Sequence, residues 1–243
     1  MHLVDHIFIF LLFVVQPVHG AHAYKKYLQR IAGGEPSNRV KLYQQTIALE
    51  WVAFVVVAGA WYLLRRPVAD LGFVASSSTQ LSIGLAVLGL FTAWLLYSWH
   101  AAKAMTDARI AQEVQSFGTL VHFLPQDSRD YRYFVATSMT AGIVEEFLYR
   151  GFVFWYLAHF LPLWAVVLVS SVAFGLGHSY QGASGIVRVT LIGLAFGAFY
   201  VFTGSIWLPM LAHAILDIVQ GAFILEVLRK GNDQRLQQHP DPG

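Results

Sequence analysis

The chain has 243 residues, of which 56% are hydrophobic and only 12% are charged, and its mean hydropathy is +0.54. Soluble domains carry roughly 25% charged residues, so this composition excludes an ordinary soluble domain and indicates an integral membrane protein. The net charge of +2, without long basic runs, leads us to expect no nucleic-acid partner. The sequence contains no cysteine, which excludes disulfides, thiolate metal ligands and cysteine nucleophiles.

Seven apolar segments approach the length of about 20 residues that a membrane-spanning helix needs. We therefore predict an all-α fold, a polytopic transmembrane helical bundle of about seven spans with a polar intramembrane site. The predicted spans are residues 4–19, 47–64, 80–99, 134–158, 162–180, 187–203 and 206–227.

The first segment has two interpretations. It is short, and Ala21, His22 and Ala23 after it resemble a signal-peptidase site. The stretch before it has no Lys or Arg and contains Asp5, which favours a retained first helix. Residues 1–23 are thus either a retained helix or a signal peptide.

Basic residues lie mainly in alternate loops. With seven spans and an outside N-terminus, 13 of the 16 Lys and Arg residues fall on the inner side. Such a bias marks the cytoplasmic face, so we expect a protein of the bacterial inner (plasma) membrane with a cytoplasmic C-terminus.

The chain divides into three predicted regions. Residues 1–130 hold N-terminal spans and a polar connector, in which Ile110, Val114 and Phe117 recur at helical spacing. This amphipathic helix either lies on the inner membrane surface or connects two spans. Residues 131–228 form a helical core that holds the intramembrane polar residues described below, and residues 229–243 form a polar tail that we expect to be disordered.

The fourth span contains charged residues in its middle. Glu145, Glu146 and Arg150 each cost at least a few kcal/mol at that depth. Glu146 and Arg150 are four residues apart and can pair along one helix face. Glu145 is rotated by about 100° from Glu146 and has no such partner on its own helix, which favours a role in acid–base chemistry.

Further polar groups lie in the later spans. His178 follows Gly175 and Gly177 in the fifth span, and His213 and Asp217 share one face of the seventh. At about 1.5 Å per residue, His178 would lie about 24 Å below the outer end of its span and His213 about 10 Å below its own. A shared site therefore requires tilted helices, breaks near Gly177 and Pro209, or different span boundaries.

These residues resemble a known pattern. The CAAX-protease and bacteriocin-processing (CPBP) family of intramembrane proteases carries EExxxR, FxxxH and HxxxN or HxxxD motifs on separate spans. Here the motifs begin at Glu145, Phe174 and His213, in the family's order, and the resemblance covers about residues 134–220. Asp217 replaces the Asn of eukaryotic prenyl-protein proteases, which argues against strict CAAX processing more than against catalysis.

The resemblance implies a glutamate-dependent endopeptidase that acts on a membrane-associated protein or peptide. Glu145, hydrogen-bonded to His178, would activate water, and His213, oriented by Asp217, would stabilise the oxyanion or protonate the leaving amine. Glu146 and Arg150 would hold the span in register and help to position substrate, while Phe174 would pack the site. Prenylated proteins, peptide pheromones, bacteriocin leaders and sorting-signal remnants all remain open as substrates.

Other interpretations stay open. No cofactor is expected, but zinc held by Glu145, His178 and His213 is an alternative, because one carboxylate and two imidazoles are an adequate zinc set. A non-catalytic membrane scaffold or immunity protein is another, as is a proton-coupled transporter, although no inverted repeat is visible. The polar groups could also form a purely structural interhelical network.

Overall fold

The computed structural model describes residues 1–238, with side chains up to Asp233. Over this range the protein consists of helices and loops without strands, and the predicted all-α class is confirmed. The helices are α1 (Leu3–Ala32), α2 (Arg39–Leu63), α3 (Ser78–Ala102), α4 (Asp107–Ser116), α5 (128–157), α6 (Leu163–Gly177), α7 (Gly182–Thr203) and α8 (Trp207–Gln238).

Five helices of the described chain, α1, α2, α3, α7 and α8, are long and apolar enough to cross a membrane. The other two predicted spans correspond to α5 and α6. Helix α5 carries Glu145, Glu146 and Arg150, and α6 has only 15 residues, which is short of the usual crossing length. The arrangement agrees with an integral membrane protein of about seven spans.

Polar caps determine where several helices begin. Asn38 accepts a hydrogen bond from the backbone N–H of Lys41, and Ser77 forms a capping box with Gln80. Asp127 accepts hydrogen bonds from the first backbone N–H groups of α5. Because capping side chains satisfy these otherwise unpaired donors, α2 and α5 start several residues before the apolar segments that predicted them.

Helix α1 is packed into the bundle over its whole length. Phe8 and Leu12 lie in the main hydrophobic core. Asp5, which is 1% exposed, accepts two 2.7 Å hydrogen bonds from Arg66. Residues 3–23 of the segment for which the sequence allowed a signal peptide therefore belong to a continuous helix, Leu3–Ala32, that packs on the bundle.

The polar connector packs against protein. Ile110 on α4 is 1% exposed and clusters with Ala102 and Val227. Since this apolar face is covered by the end of α8, the connector interpretation is favoured over a helix that lies on the membrane surface.

Helix α8 extends further than expected. It continues without interruption to Gln238, so the predicted disorder is wrong for residues 229–238. Residues 239–243 of the predicted tail lie outside the described residues.

Small residues let the core helices approach closely. A Cβ added at Gly142 of α5 would lie 2.8 Å from the carbonyl oxygen of Met210 and 2.9 Å from the backbone nitrogen of Ala214 on α8. A Cβ at Gly175 of α6 would lie 2.0 Å from Oγ1 of Thr190 on α7. These contacts bring α5 against α8 and α6 against α7 at the level of the predicted site.

The absence of native cysteine allows a direct test of the predicted topology. Gln112→Cys on α4 and Asp70→Cys in the α2–α3 loop both replace exposed residues at opposite ends of the bundle. We expect a membrane-impermeant thiol reagent to label Asp70→Cys in intact cells, and Gln112→Cys only after the membrane is opened. The cysteine-free parent protein shows the background labelling. Labelling of Gln112→Cys in intact cells would mean that the orientation is opposite to the one predicted.

Candidate active site

The first motif lies where α5 changes its geometry. Regular α-helix runs from Ser128 to Glu146 and is followed by a π-helical stretch, Phe147–Val153, and a last α-helical turn, Phe154–Leu157. Such π-helical bulges occur often at functional sites. The Glu145 side chain remains 19% exposed, whereas Glu146 is fully buried, so the two adjacent carboxylates have different environments.

Glu146 is the centre of a buried polar network. Its Oε1 accepts a 2.8 Å hydrogen bond from Nη1 of Arg150, as the i, i+4 spacing predicts. Nη2 of Arg150 donates to the carbonyl oxygen of Gly193 on α7 at 3.0 Å. The guanidinium carbon lies 4.7 Å from the centre of the Phe174 ring. The pair therefore links α5 to both α6 and α7.

His213 is oriented by Glu146. Its Nδ1 lies 2.9 Å from Oε1 of Glu146, while its Nε2 lies 3.6 Å from Oδ2 of Asp217. We expected Asp217 to orient this imidazole, but the direct hydrogen bond comes from the other carboxylate. Because a carboxylate only accepts, Nδ1 carries a proton and Nε2 faces Asp217 and the rest of the site.

His178 follows the last residue of α6. Its Nδ1 lies 2.9 Å from the carbonyl oxygen of Phe174. A carbonyl oxygen can only accept a hydrogen bond, so Nδ1 donates and Nε2 is turned towards α5. The Phe174 ring contacts both imidazoles, with ring centres 4.9 Å from His178 and 5.9 Å from His213, which agrees with a packing role.

Glu145 lies between the two histidines. Its Oε2 is 4.0 Å from Nε2 of His178 and 3.8 Å from Nε2 of His213. These distances exceed a direct hydrogen bond but suit groups that share one bridging water. The expected direct bond between Glu145 and His178 is thus not present, although the structure brings all three side chains together.

The difference in depth between His178 and His213 is resolved by where α8 begins. The Ile206 backbone N–H donates to the carbonyl oxygen of Gly72, and the preceding Leu71 packs beside Gly151 in the π-helical stretch. Leu71 and Gly72 of the α2–α3 loop and the start of α8 are therefore buried against α5, about 9 Å along that helix from Glu145. His213, six residues into α8, returns to the level of Glu145.

The predicted breaks are found only in part. Helix α6 ends at Gly177, directly before His178. Pro209 lies in the first turn of α8 and leaves that helix continuous, as is usual for proline near a helix N-terminus.

A cavity of about 490 Å³ opens beside these groups. Its wall includes Glu145, Phe174, His178, His213 and Asp217. Residues 116–120 of the connector line the other side. Glu146 and Arg150 are not among the lining residues, which separates a buried supporting pair from the groups that can touch a substrate.

Sequence reasoning missed Glu50. This residue of α2 lines the same cavity, and its Oε2 is buried without a hydrogen-bond partner. The same rule that singled out Glu145, an ionisable residue inside an apolar span, would have identified it.

Helix α1 also contributes to the site. The Gln16 amide lies 3.4 Å from the carbonyl oxygen of Gly177, and Oγ of Ser179 donates to the carbonyl oxygen of Pro17 at 3.1 Å. The residues on both sides of His178 are thus held by α1, which sequence reasoning did not anticipate.

A comparison with protein families supports the motif assignment. Residues 128–219 match the family described as type II CAAX prenyl endopeptidase Rce1-like. The family resemblance is confirmed. The segment that matches this CAAX-protease-type family contains all three motifs and therefore every site residue predicted from the sequence.

Most of the chain also matches a known protein. Over 215 residues the protein is 26% identical to "Putative membrane peptidase YdiL" of Bacillus subtilis (strain 168), a match that covers 85% of this chain and 83% of the relative. No solved structure matches the chain. Both the family and the relative support an intramembrane protease.

The Glu146–Arg150 pair can be tested by a double-mutant cycle. Arg150→Met leaves Glu146 buried without its cation, and we expect a loss of about 3–5 kcal/mol in unfolding free energy. Glu146→Gln combined with Arg150→Met removes both charges and should recover a large part of that loss. Unfolding in detergent gives the four values, and strictly additive effects would show that the two side chains do not depend on each other.

Proposed function

We propose that the protein is a glutamate-dependent intramembrane endopeptidase that hydrolyses a peptide bond of a membrane-associated protein or peptide. The observation that carries the proposal is the position of Glu145, whose Oε2 lies within 4.0 Å of the Nε2 atoms of two histidines from separate helices. The family match over residues 128–219 supports the same class of reaction.

Glu145 is the proposed general base. A water held between its carboxylate and Nε2 of His178 loses a proton to Glu145 as its oxygen attacks the carbonyl carbon of the substrate. Nδ1 of His178 donates to the Phe174 carbonyl oxygen, so in the neutral imidazole Nε2 accepts a hydrogen bond from the water. Glu145 then returns the proton to the leaving amine.

His213 is proposed to act on the charge that develops at the substrate. Glu146 beside Nδ1 and Asp217 beside Nε2 stabilise an imidazolium at this position. A protonated Nε2 donates a hydrogen bond to the oxyanion of the tetrahedral intermediate and keeps its proton, while the leaving nitrogen receives the proton that Glu145 took from the water. In this scheme Asp217 stabilises charge, while Glu146 sets the orientation.

The charge bias favours a cytoplasmic C-terminus, and the similarity to a membrane peptidase of Bacillus subtilis favours a bacterial plasma membrane as the location. The cavity is lined on one side by the connector residues 116–120, which belong to the basic end of the bundle. We therefore propose that the substrate is a membrane protein or peptide that reaches the site between the spans near this end.

Variants of Glu145 test the reaction. Glu145→Gln keeps the side-chain volume but removes the base, and we expect cleavage to fall by about 10²–10⁴-fold. His178→Ala should cause a loss of the same order. Membrane proteomes from cells with the wild type and each variant are compared by labelling new N-termini, and the proposal predicts sites that depend on both residues.

Glu226→Gln is the matched control, because Glu226 is a carboxylate on α8 that does not line the cavity. It should leave all sites intact. A folded Glu145→Gln protein that cleaves at the wild-type rate would contradict the proposal. If cells with Glu145→Gln show the same phenotype as the wild type and no cleavage occurs in either, a scaffold or immunity protein is favoured.

The metal-free and zinc forms of the proposal differ in one measurement. No group of three His, Asp or Glu side chains with the arrangement of a metal site occurs in the part of the chain that the structure describes. We expect purified active protein to contain zinc far below one ion per chain and to retain activity in a chelator. Stoichiometric zinc that is lost together with activity would instead assign Glu145, His178 and His213 as its ligands.

A further inference from the structure

Glu50 lies inside the bundle on a helix that is outside the matched family segment. Helix α2 runs alongside α5, with Tyr43 packed on Phe134 at 5.8 Å between ring centres and Phe54 packed on Phe147 at 4.4 Å. Glu50 lies between these two contacts on α2. Its carboxylate faces the cavity that Glu145 and the two histidines share.

This carboxylate has no partner of its own. Oε2 of Glu50 is buried and makes no hydrogen bond, and within the described residues no Lys, Arg or His nitrogen lies within ion-pair distance. Arg39 lies eleven residues before Glu50 on α2, about 17 Å away along the helix, and pairs with Asp130, while Arg150 on α5 pairs with Glu146. A buried carboxylate without a partner costs several kcal/mol, which a purely structural role does not explain.

The charge around Glu50 specifies what would bind there. Glu145 and Asp217 face the same cavity. Among the described residues that line it, Arg188 is the single Lys or Arg residue. Arg188 is exposed and donates to Oε1 of Gln181 at 3.1 Å. The wall near the histidines therefore presents three carboxylates, and a bound cation would be complementary to it.

We propose that Glu50 determines substrate specificity by binding a cationic group of the substrate, a Lys or Arg side chain within a few residues of the scissile bond. This inference rests on the proposed peptidase function and adds a preference for a basic residue next to the cleaved bond. The role is distinct from the chemistry, because Glu50 lies on α2 and the proposed base and acid lie on α5, α6 and α8.

The test begins with the cleavage sites themselves. New N-termini that require Glu145 are mapped in membranes from cells with the wild-type protein, and we expect Lys or Arg to be enriched within three residues of the cleaved bond. A peptide that spans one such site is then synthesised with the basic residue or with Met in its place. The wild-type protein in phosphatidylethanolamine–phosphatidylglycerol vesicles should cleave the basic peptide at least about tenfold faster.

Glu50 variants separate specificity from catalysis. Glu50→Gln, which is isosteric, should cleave the two peptides at rates within about twofold of each other, through a higher KM for the basic peptide. Glu50→Asp keeps the charge and should keep most of the preference. Glu226→Gln, a lost carboxylate outside the cavity, should behave as the wild type. Size-exclusion profiles show whether each variant is folded.

Two results would overturn the inference while leaving the proposed function intact. One is a set of Glu145-dependent sites without enrichment of Lys or Arg. The other is a folded variant whose preference differs from the expectation. That would be a Glu50→Gln protein that still prefers the basic peptide as strongly as the wild type, or a Glu50→Asp protein that no longer prefers it. Cleavage that does not require Glu145 would contradict the proposed function itself.

Discussion

The arrangement of the core depends on one buried carboxylate, that of Glu146. Its Oε1 is the acceptor for both Arg150 and His213, at 2.8 and 2.9 Å, and the residue is fully buried. Arg150 extends the network to the backbone of α7 at Gly193. A buried ion pair of this kind gains little net stability but is costly to break, so it acts mainly to fix the relative positions of α5, α7 and α8.

Fixing those helices also fixes the surroundings of the neighbouring residue, Glu145. Because Glu146 holds Nδ1 of His213, Nε2 of that imidazole must face Glu145. Phe174 does the same for His178 through its carbonyl oxygen, while its ring covers Arg150. The two adjacent glutamates thus have complementary roles that follow from a rotation of about 100° along one helix, one directed into the packed core and one into the cavity.

How far the sequence predicts this site depends on the range of each interaction. The Glu146–Arg150 pair is local, so its i, i+4 spacing was enough. The contact of His213 with Glu146 depends on the start of α8, where the backbone N–H of Ile206 bonds to Gly72 inside the bundle. The sequence pattern within α8 does not indicate that depth. Asp217 looked like the natural partner of His213 because it is four residues away, yet a residue from another helix makes the shorter bond.

The fold was also predictable where it depends on local sequence, which gives the number of helices but not their ends. Apolar length identified the spans, while their ends were set by caps such as Asn38 and Ser77 that lie outside the apolar segments. Glu50 is the single charged residue of the apolar segment 47–64, so no second polar group on that segment pointed to a site. A single carboxylate in such a helix is as expensive as one in a cluster.

The residues that carry the motifs are not sufficient to form the site. The turn that holds His178 is supported from α1 by Gln16 and Pro17. Two tyrosines hold the connector that lines the cavity. The Tyr24 hydroxyl of α1 donates to the carbonyl oxygen of Thr119 at 2.7 Å, and the Tyr43 hydroxyl of α2 donates to the carbonyl oxygen of Phe123. Helix α2 and the connector therefore close one side of the cavity beside the segment that carries the motifs, and α1 holds the connector and the turn at His178 in place. Since the proposed reacting groups come from residues 128–219 and much of the enclosing wall does not, we expect changes in α1, α2 and the connector to alter which substrate is accepted without altering the proposed chemistry.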